Sequence, residues 1–446
     1  MSHFLLPSTP IYGHVAPMIT VGRALVARGH RVTVLTGSKF RRPVESSGLG
    51  FRALPTEVDY DDANLGDWLP LRGELSGIAA GRHDIIGMFI RPIPGQHEAL
   101  VEALASQRFD AVVSDAAYLG VLPTLLGAPS ESRIPVLGIS ATPLSMRSTD
   151  CAAFGSGLLP GRSAFTRLRN RQINYLLDHG PLRGLQRELD AVLRRLGVPE
   201  PDLNFFDHAA VFDTTMHLAV AGFEYPRREL PESVHFVGPL HPEPLHLDAT
   251  AGLPSWWPDL DGRRPVVHVT QGTMANVDLD QLIAPTLRAL AHEDVLVVAS
   301  TGGQSPAVLP ALLGGRLPDN VRVAEFLPYD QLLPRVDLMV TNGGFGGVQR
   351  ALAHGLPLIV AGTTEDKPEV AARVAWSGAG LNLRTARPRP ARLRRAVRTA
   401  LHDPRYRSAA QRLQREIADQ GDPLARIVDD LELSLQAPAG TRLTAS

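Results

Sequence analysis

Two sets of residues in this chain could do chemistry. His14, in PIYGHVAPM, and Asp115, which closes FDAVVSD, could move a proton. The Gly-rich run TNGGFGGV, Thr341 to Val348, could hold an anion. An unperturbed imidazole titrates at about 6.5, so it can accept a proton at neutral pH. A carboxylate behind its other nitrogen stabilises the charge it gains. In the second set, Gly343, Gly344, Gly346 and Gly347 let the backbone turn tightly and approach a ligand closely. A helix behind such a turn presents free amides and about half a positive charge, which suits a phosphate. Beyond the next strand, Glu365, Asp366 and Lys367 are placed to meet hydroxyls beside that phosphate. A phosphate cradle with a hydroxyl reader suggests a nucleotide-sugar donor. Each feature also has an ordinary structural reading. A histidine at a helix start is often a cap, an aspartate after a strand an N-cap, and a Gly-rich turn a plain strand-to-helix connection.

The elements that must position these residues alternate. Apolar runs fit for strands include His3 to Pro7, RVTVLT, FRALP, FDAVVSD, IPVLGIS, MHLAVAG and VHFVGPL. Helical patterns lie between them, the first through Val15, Met18, Ile19, Leu25 and Val26, closed by Gly29. Thr56 to Pro94 has no firm period and reads as loops and short helices over an acceptor cleft. A second series begins at PVVHVTQ and runs through a helix Leu279 to His292, DVLVVAS, VRVAEFL, VDLMV and the Gly-rich turn. Ala391 to Leu401 and Tyr406 to Leu435 read as helices, and Ala437 to Ser446 as a frayed end. Alternation of this kind predicts an α/β chain with two parallel sheets, each covered on both faces. Ligands then sit beyond the carboxyl ends of the strands. The predicted domains are residues 1–240 for the acceptor and 265–436 for the donor. The Pro-, Asp- and Gly-rich stretch 241–264 is the linker between them.

The segment Thr341 to Leu381 resembles the donor-binding motif of family 1 glycosyltransferases, the nucleotide-sugar-dependent enzymes of the GT-B fold. The likeness extends over most of the chain, in particular to bacterial enzymes that glycosylate antibiotics and phenolics. It implies two Rossmann-like domains facing across a cleft, with the last helix packed back on the N-terminal domain. It places His14 as the catalytic base of a G-H-x-x-P motif and Asp115 as its partner. Gln271, Gly272 and Thr273 then contact pyrophosphate. FLPYDQL resembles the base-binding segment, with Phe326 stacking on uracil or thymine and Leu327 beside it. Asn342, Gly344, Gly346, Gly347 and Val348 cradle phosphate, and Asp366 and Lys367 read the sugar. The chain departs from the family at several points. Phe326 replaces a tryptophan, Tyr329 a glutamine, Asn342 a frequent histidine, Gly347 a common serine, and Lys367 the usual glutamine.

The resemblance implies an inverting transfer of a hexose from a UDP- or dTDP-sugar to a hydroxyl of a small, largely apolar acceptor. The alternatives are a GT-B sugar-nucleotide epimerase and a non-catalytic nucleotide-sugar-binding accessory protein. The nucleotide-sugar, UDP-glucose or a dTDP-sugar, is a co-substrate, and no further cofactor and no metal are expected. The chain has 446 residues, enough for two domains, and 44% are apolar, enough for large cores. A net charge of −1 leaves no basic footprint for nucleic acid. The single cysteine, Cys151, excludes an intramolecular disulfide and a multi-cysteine metal site. No run of about 18 apolar residues occurs, so no membrane span is expected. The first residues lack a cationic start before an apolar core, so no signal peptide is expected and the cytoplasm is the default. Only two lysines occur, Lys39 and Lys367, which draws attention to the one beside Asp366. Oligomeric state is left open.

Overall fold

The computed structural model describes residues 1–127, 129, 132–242, 252–272 and 276–436. Its apolar runs are strands: β1 His3–Pro7, β2 Arg31–Thr36, β3 Gly50–Ala53, β4 Ala111–Asp115, β5 Val136–Ser140, β6 Thr214–His217 and β7 Val234–Phe236. These form one parallel sheet in the order β3-β2-β1-β4-β5-β6-β7. A second parallel sheet holds β8 Val266–Thr270, β9 Leu296–Ser300, β10 Val321–Ala324, β11 Leu338–Thr341, β12 Leu358–Val360 and β13 Gly380–Asn382. Its order is β10-β9-β8-β11-β12-β13. In each sheet the chain first winds one way from a central strand and then the other way. That reversal opens a crevice at the carboxyl ends of β1 and β4 in the first sheet, and of β8 and β11 in the second.

The central strands are buried at every position, as helices on both faces require. Alternate residues serve opposite layers. Phe4, Leu6 and Val34 pack with Val15 and Met18 of the first helix, while Leu5, Leu35 and Val112 face a second cluster with Leu119 and Leu189. The first of these layers is completed from the far end of the chain. Ile427, Val428 and Leu431, on the helix Pro423–Gln436, are fully buried within it. Side chains of this kind each contribute roughly 1.5–3 kcal/mol when withdrawn from water. In the reverse sense, Ala219, Val220 and Phe223 follow β6 but join the core of the second sheet beside Phe345 and Val348.

A buried ionic cluster also ties the lobes. Glu224 accepts from Arg373 Nε at 3.0 Å and Arg227 Nη1 at 3.2 Å, and Arg373 donates to Glu369 at 2.8 Å. Glu369 also accepts from the amides of Gly155 and Gly157. Burial alone would raise the Glu224 pKa. The Arg373 charge, the His217 hydrogen bond and the Arg227 charge overcome it and hold the carboxyl far below the usual carboxylate range. Removing one member would leave a buried charge uncompensated.

Several boundaries differ from the sequence reading. The helix expected over Leu279 to His292 spans Ile283–Leu290, because the chain before it turns around Gln271. The expected helix Tyr406 to Leu435 is two, Pro404–Asp419 and Pro423–Gln436, parted at Gly421, whose φ of 76° no helix continues. The domain expectation of 265–436 therefore gives its last helix to the other lobe. Residues 243–251 of the linker and the expected frayed end at 437–446 lie outside the described residues.

Candidate active site

His14 sits two residues into the helix Tyr12–Ala27, directly after β1, and Asp115 is the last residue of β4. Because β1 and β4 are neighbours at the switch point, residues 101 apart in sequence meet across it. His14 Nδ1 lies 2.9 Å from Asp115 Oδ1. The carboxylate is held in place by two further donors, the amide of Thr9 to Oδ2 at 3.2 Å and the amide of Ala117 to Oδ1 at 3.1 Å. A carboxylate only accepts, so Nδ1 carries the hydrogen and Nε2 is the basic nitrogen. Both side chains are nearly sealed, at 9% and 2% exposure, so the geometry is fixed by packing. Burial opposes charge on His14, but the Asp115 charge and hydrogen bond, with Asp366 adding, outweigh it and raise the pKa above 6.5. Asp366 belongs to the other lobe. Its charge acts on His14 from the far side of the crevice.

On the donor side, Gly343 makes the turn after β11. Its φ is 93°, and a Cβ there would stand 2.6 Å from Val360 Cγ1, so only glycine fits. Gly344 is the N-cap of the helix Phe345–Ala353 and has no side chain to cap it. The amide of Val348 donates back to the Gly344 carbonyl at 3.0 Å. The amides of Phe345, Gly346 and Gly347 precede the first intrahelical bond and have no acceptor within the helix. Above Gly344, Gly346 and Gly347 there is open space. The amides left without a helical acceptor are therefore those of residues 345–347, while that of Val348, one of the expected phosphate contacts, is bonded within the helix.

Other expected donor contacts sort themselves by their bonds. Gln271 Oε1 accepts from the amides of Leu282 and Ile283, and its Nε2 donates to the Asp278 carbonyl, so its side chain caps a helix. Asn342 Nδ2 donates to the Gln271 carbonyl, joining β8 to β11 at their switch point. Gly272 lies in that same turn with φ of 71°. Leu327 is buried in the second lobe's core. Thr273 lies outside the described residues. Phe326 is half-buried, its ring edge 3.5 Å from where a Cβ on Gly303 would stand. Tyr329 points its hydroxyl at His268 Nε2, 2.9 Å away, while His268 Nδ1 bonds the Val298 carbonyl. Burial lowers the His268 pKa to about 4, so that ring stays neutral and accepts from the phenol. Lys367 is buried and donates to Glu365. Glu365 in turn accepts from Arg72 of the first lobe at 2.8 Å, and Arg72 also holds Asp84 at 2.9 Å. Burial raises the Asp366 pKa, with Glu365 adding, against the pull of Lys367 and His14.

A pocket with room for about one water opens beside the His14–Asp115 pair. Ser140, Thr142, Ser145 and His208 line it. None of its lining comes from Thr56 to Pro94, which was expected to form the cleft. That stretch folds as loops and short helices, as expected, and its Arg72 reaches Glu365 of the second lobe. The sequence reading missed His208, Arg72 and Gly303. Only the Gly302-Gly303 pair after β9 carried a local signal for its place. Among the described residues no group of His, Cys, Asp and Glu is arranged to hold a metal, and no helix is long and apolar enough to cross a membrane.

Two Rossmann-like lobes, with the His14–Asp115 pair on one side and bare helix amides on the other, form a GT-B architecture. Residues 286–433 match the family described as the C-terminal domain of erythromycin biosynthesis protein CIII-like proteins. The chain is 43% identical over 433 residues to 4'-demethylrebeccamycin synthase of Lentzea aerocolonigenes, covering 96% of this chain and 98% of that one. It is 36% identical to UDP-glycosyltransferase 2 of Phaeomoniella chlamydospora, covering 96% and 95%. Among solved structures, the kitacinnamycin glycotransferase superposes with a TM-score of 0.70 at 25% identity, covering 97% and 98%. The calicheamicin glycosyltransferase CalG4 gives 0.68 at 24%, with the same coverage. The chain belongs to the family 1, UDP-glycosyltransferase-like enzymes of the GT-B fold, and is a glycosyltransferase.

Proposed function

We propose that this enzyme transfers a hexose, with inversion, from a UDP- or dTDP-sugar to a hydroxyl of a small, largely apolar natural product, antibiotic or phenol. The observation that carries the reading is the buried His14–Asp115 pair at 2.9 Å, on which the charge of Asp366 in the other lobe also acts. His14 Nε2 takes the acceptor's hydroxyl proton as the oxygen attacks the anomeric carbon. The bond from that carbon to the β-phosphate oxygen breaks on the opposite side, and the nucleoside diphosphate leaves with the electron pair. Asp115 keeps the proton of Nδ1 in place and supports the imidazolium. A positioned base of this kind supplies roughly 10²- to 10⁴-fold in rate. The amides of Phe345, Gly346 and Gly347 meet the leaving group's charge without reorganising. Phe326 stacks on the nucleobase beside Gly303, and Asp366 accepts from sugar hydroxyls. Lys367, tied to Glu365, holds that loop and leaves the sugar to Asp366.

Relatives named as glycosyltransferases or glucosyltransferases favour transfer over epimerisation or a purely binding role. The test is a matrix of UDP- and dTDP-sugars against phenolic, macrolide and ansamycin acceptors, read by mass, with His14→Ala alongside. A mass gain of one hexose that depends on His14 is expected. Donor altered without acceptor, or turnover in the variant near the parent's, would reject the mechanism.

A further inference from the structure

Two imidazoles border the cavity beside Asp115, and the transfer uses only one. His208 lies in the turn Phe205–Ala210, far along the chain from His14. Its Nδ1 is 2.7 Å from the Phe205 carbonyl, which can only accept. Nδ1 therefore carries the hydrogen, and Nε2 presents a lone pair. That nitrogen has no partner among the described residues and is not among the sealed polar atoms. The contrast with His14 is chemical. Burial lowers the His208 pKa despite the Phe205 bond and the charges of Asp115 and Asp207. One ring in the cavity is thus built to gain a proton, and the other to stay neutral.

The two serine hydroxyls on this wall are committed. Ser145 Oγ donates to the Phe206 carbonyl at 2.7 Å, and Ser140 Oγ lies 3.1 Å from His217 Nδ1. The remaining lining includes Ala116, Ala117, Ala141, Pro143 and Leu144. Beside these apolar groups the His208 lone pair is a fixed polar point left for a ligand. We propose that His208 Nε2 is a specificity-determining acceptor, which selects glycosyl acceptors carrying a second hydroxyl or N–H besides the hydroxyl that receives the sugar. This rests on the transferase reading above and names the acceptor class within it. His208 positions the acceptor and takes no part in the proton transfer.

The test uses isomeric dihydroxynaphthalenes (1,5, 1,6, 2,6 and 2,7), their monomethyl ethers and their dimethyl ethers. Turnover is measured with the parent, His208→Phe and His208→Gln, the last of which keeps an acceptor atom. At least one diol is expected to lose about 10- to 100-fold in kcat/KM in His208→Phe, because a hydrogen bond made in a dry cavity is lost. Its monomethyl ether should change less than threefold, and His208→Gln should recover part of the diol's rate. Loss shared equally by every diol and its ether, or no loss at all, overturns the inference. A binding readout separates this from the reaction. In histidine-labelled protein the ¹⁵N shift of His208 Nε2 should move on adding a diol and stay still with its dimethyl ether. Movement without any sugar transfer keeps the inference and rejects the transferase mechanism. Transfer to diols with a motionless His208 signal rejects the inference alone.

Discussion

At the switch point of the first sheet, His14 leans on Asp115 across β1 and β4; at that of the second, Asn342 leans on the Gln271 carbonyl across β8 and β11. The two bonds occupy the same place in two sheets of the same winding. What surrounds them differs. The Asp115 carboxylate has three donors, and His14 is nearly sealed. Across the crevice, the first turn of the helix Phe345–Ala353 lies open, and its cap residue has no side chain. The dyad's hydrogen bonds are complete in the free chain, whereas the helix amides still lack acceptors. A polar site left unsatisfied in the free chain is where binding energy can be gained, and a satisfied one is where geometry can be kept.

The comparison breaks hardest at His14. His14→Ala should lower kcat by about 10²- to 10⁴-fold, while calorimetry with UDP or dTDP should find donor affinity within twofold of the parent's. Asp115→Asn comes next, at about 10²-fold in kcat, since the amide no longer fixes the productive tautomer. It also shifts the pH profile. In the parent, kcat/KM should rise with pH through a midpoint above 6.5, as the raised His14 loses its proton. In Asp115→Asn burial acts with only Asp366 against it, and the midpoint should fall below the parent's. The linkage has the matching sign. His14 pairing stabilises the fold fully at pH below about 6.5, and this contribution disappears as pH climbs through the raised value.

On the open wall the effects are smaller and change sign between stability and binding. Gly346→Asp should steady the helix by about 0.3–1 kcal/mol, because a carboxylate suits its N-terminus. The same charge occupies the anion's place, so donor affinity should drop by about tenfold. A melting temperature and a titration on one sample check both, and a variant that binds donor normally would mean that the phosphates lie elsewhere. Arg72→Ala is expected to raise donor KM by about two- to fivefold with kcat nearly unchanged, the size of a partly exposed ion pair. Arg72→Lys should restore part of it. Last, a chelator should leave turnover intact, and strong loss would reject charge relief by amides alone.

The dyad was legible because each residue closes or follows an apolar run and the family resemblance paired the two; the strand order then brings the ends of β1 and β4 together. The Gly-rich turn was legible for the same reason, and the steric demand at Gly343 explains part of its composition. The side-chain assignments around it were not. Gln271 follows a strand like a ligand contact, but its amide is spent on the next helix. Leu327 borders the base segment yet points into the core, and the Val348 amide is already bonded within its helix. Lys367 is bound to Glu365, a partner two residues away that no motif specifies. His208 was invisible because its pocket is assembled from four separate segments, and FFDHAA has no pattern of its own.

The helix Pro423–Gln436, seated on the first sheet through Ile427, Val428 and Leu431, makes the chain pass between lobes twice. Recombining this enzyme with a relative to exchange sugar preference is therefore a two-junction operation, one cut between Phe236 and Val266 and the other between Asp419 and Pro423. A hybrid spliced at the first junction alone would cover Phe4 and Leu6 with a foreign tail. Its solubility would then report how well the two parents agree at those three side chains, whatever the merits of the transplanted lobe.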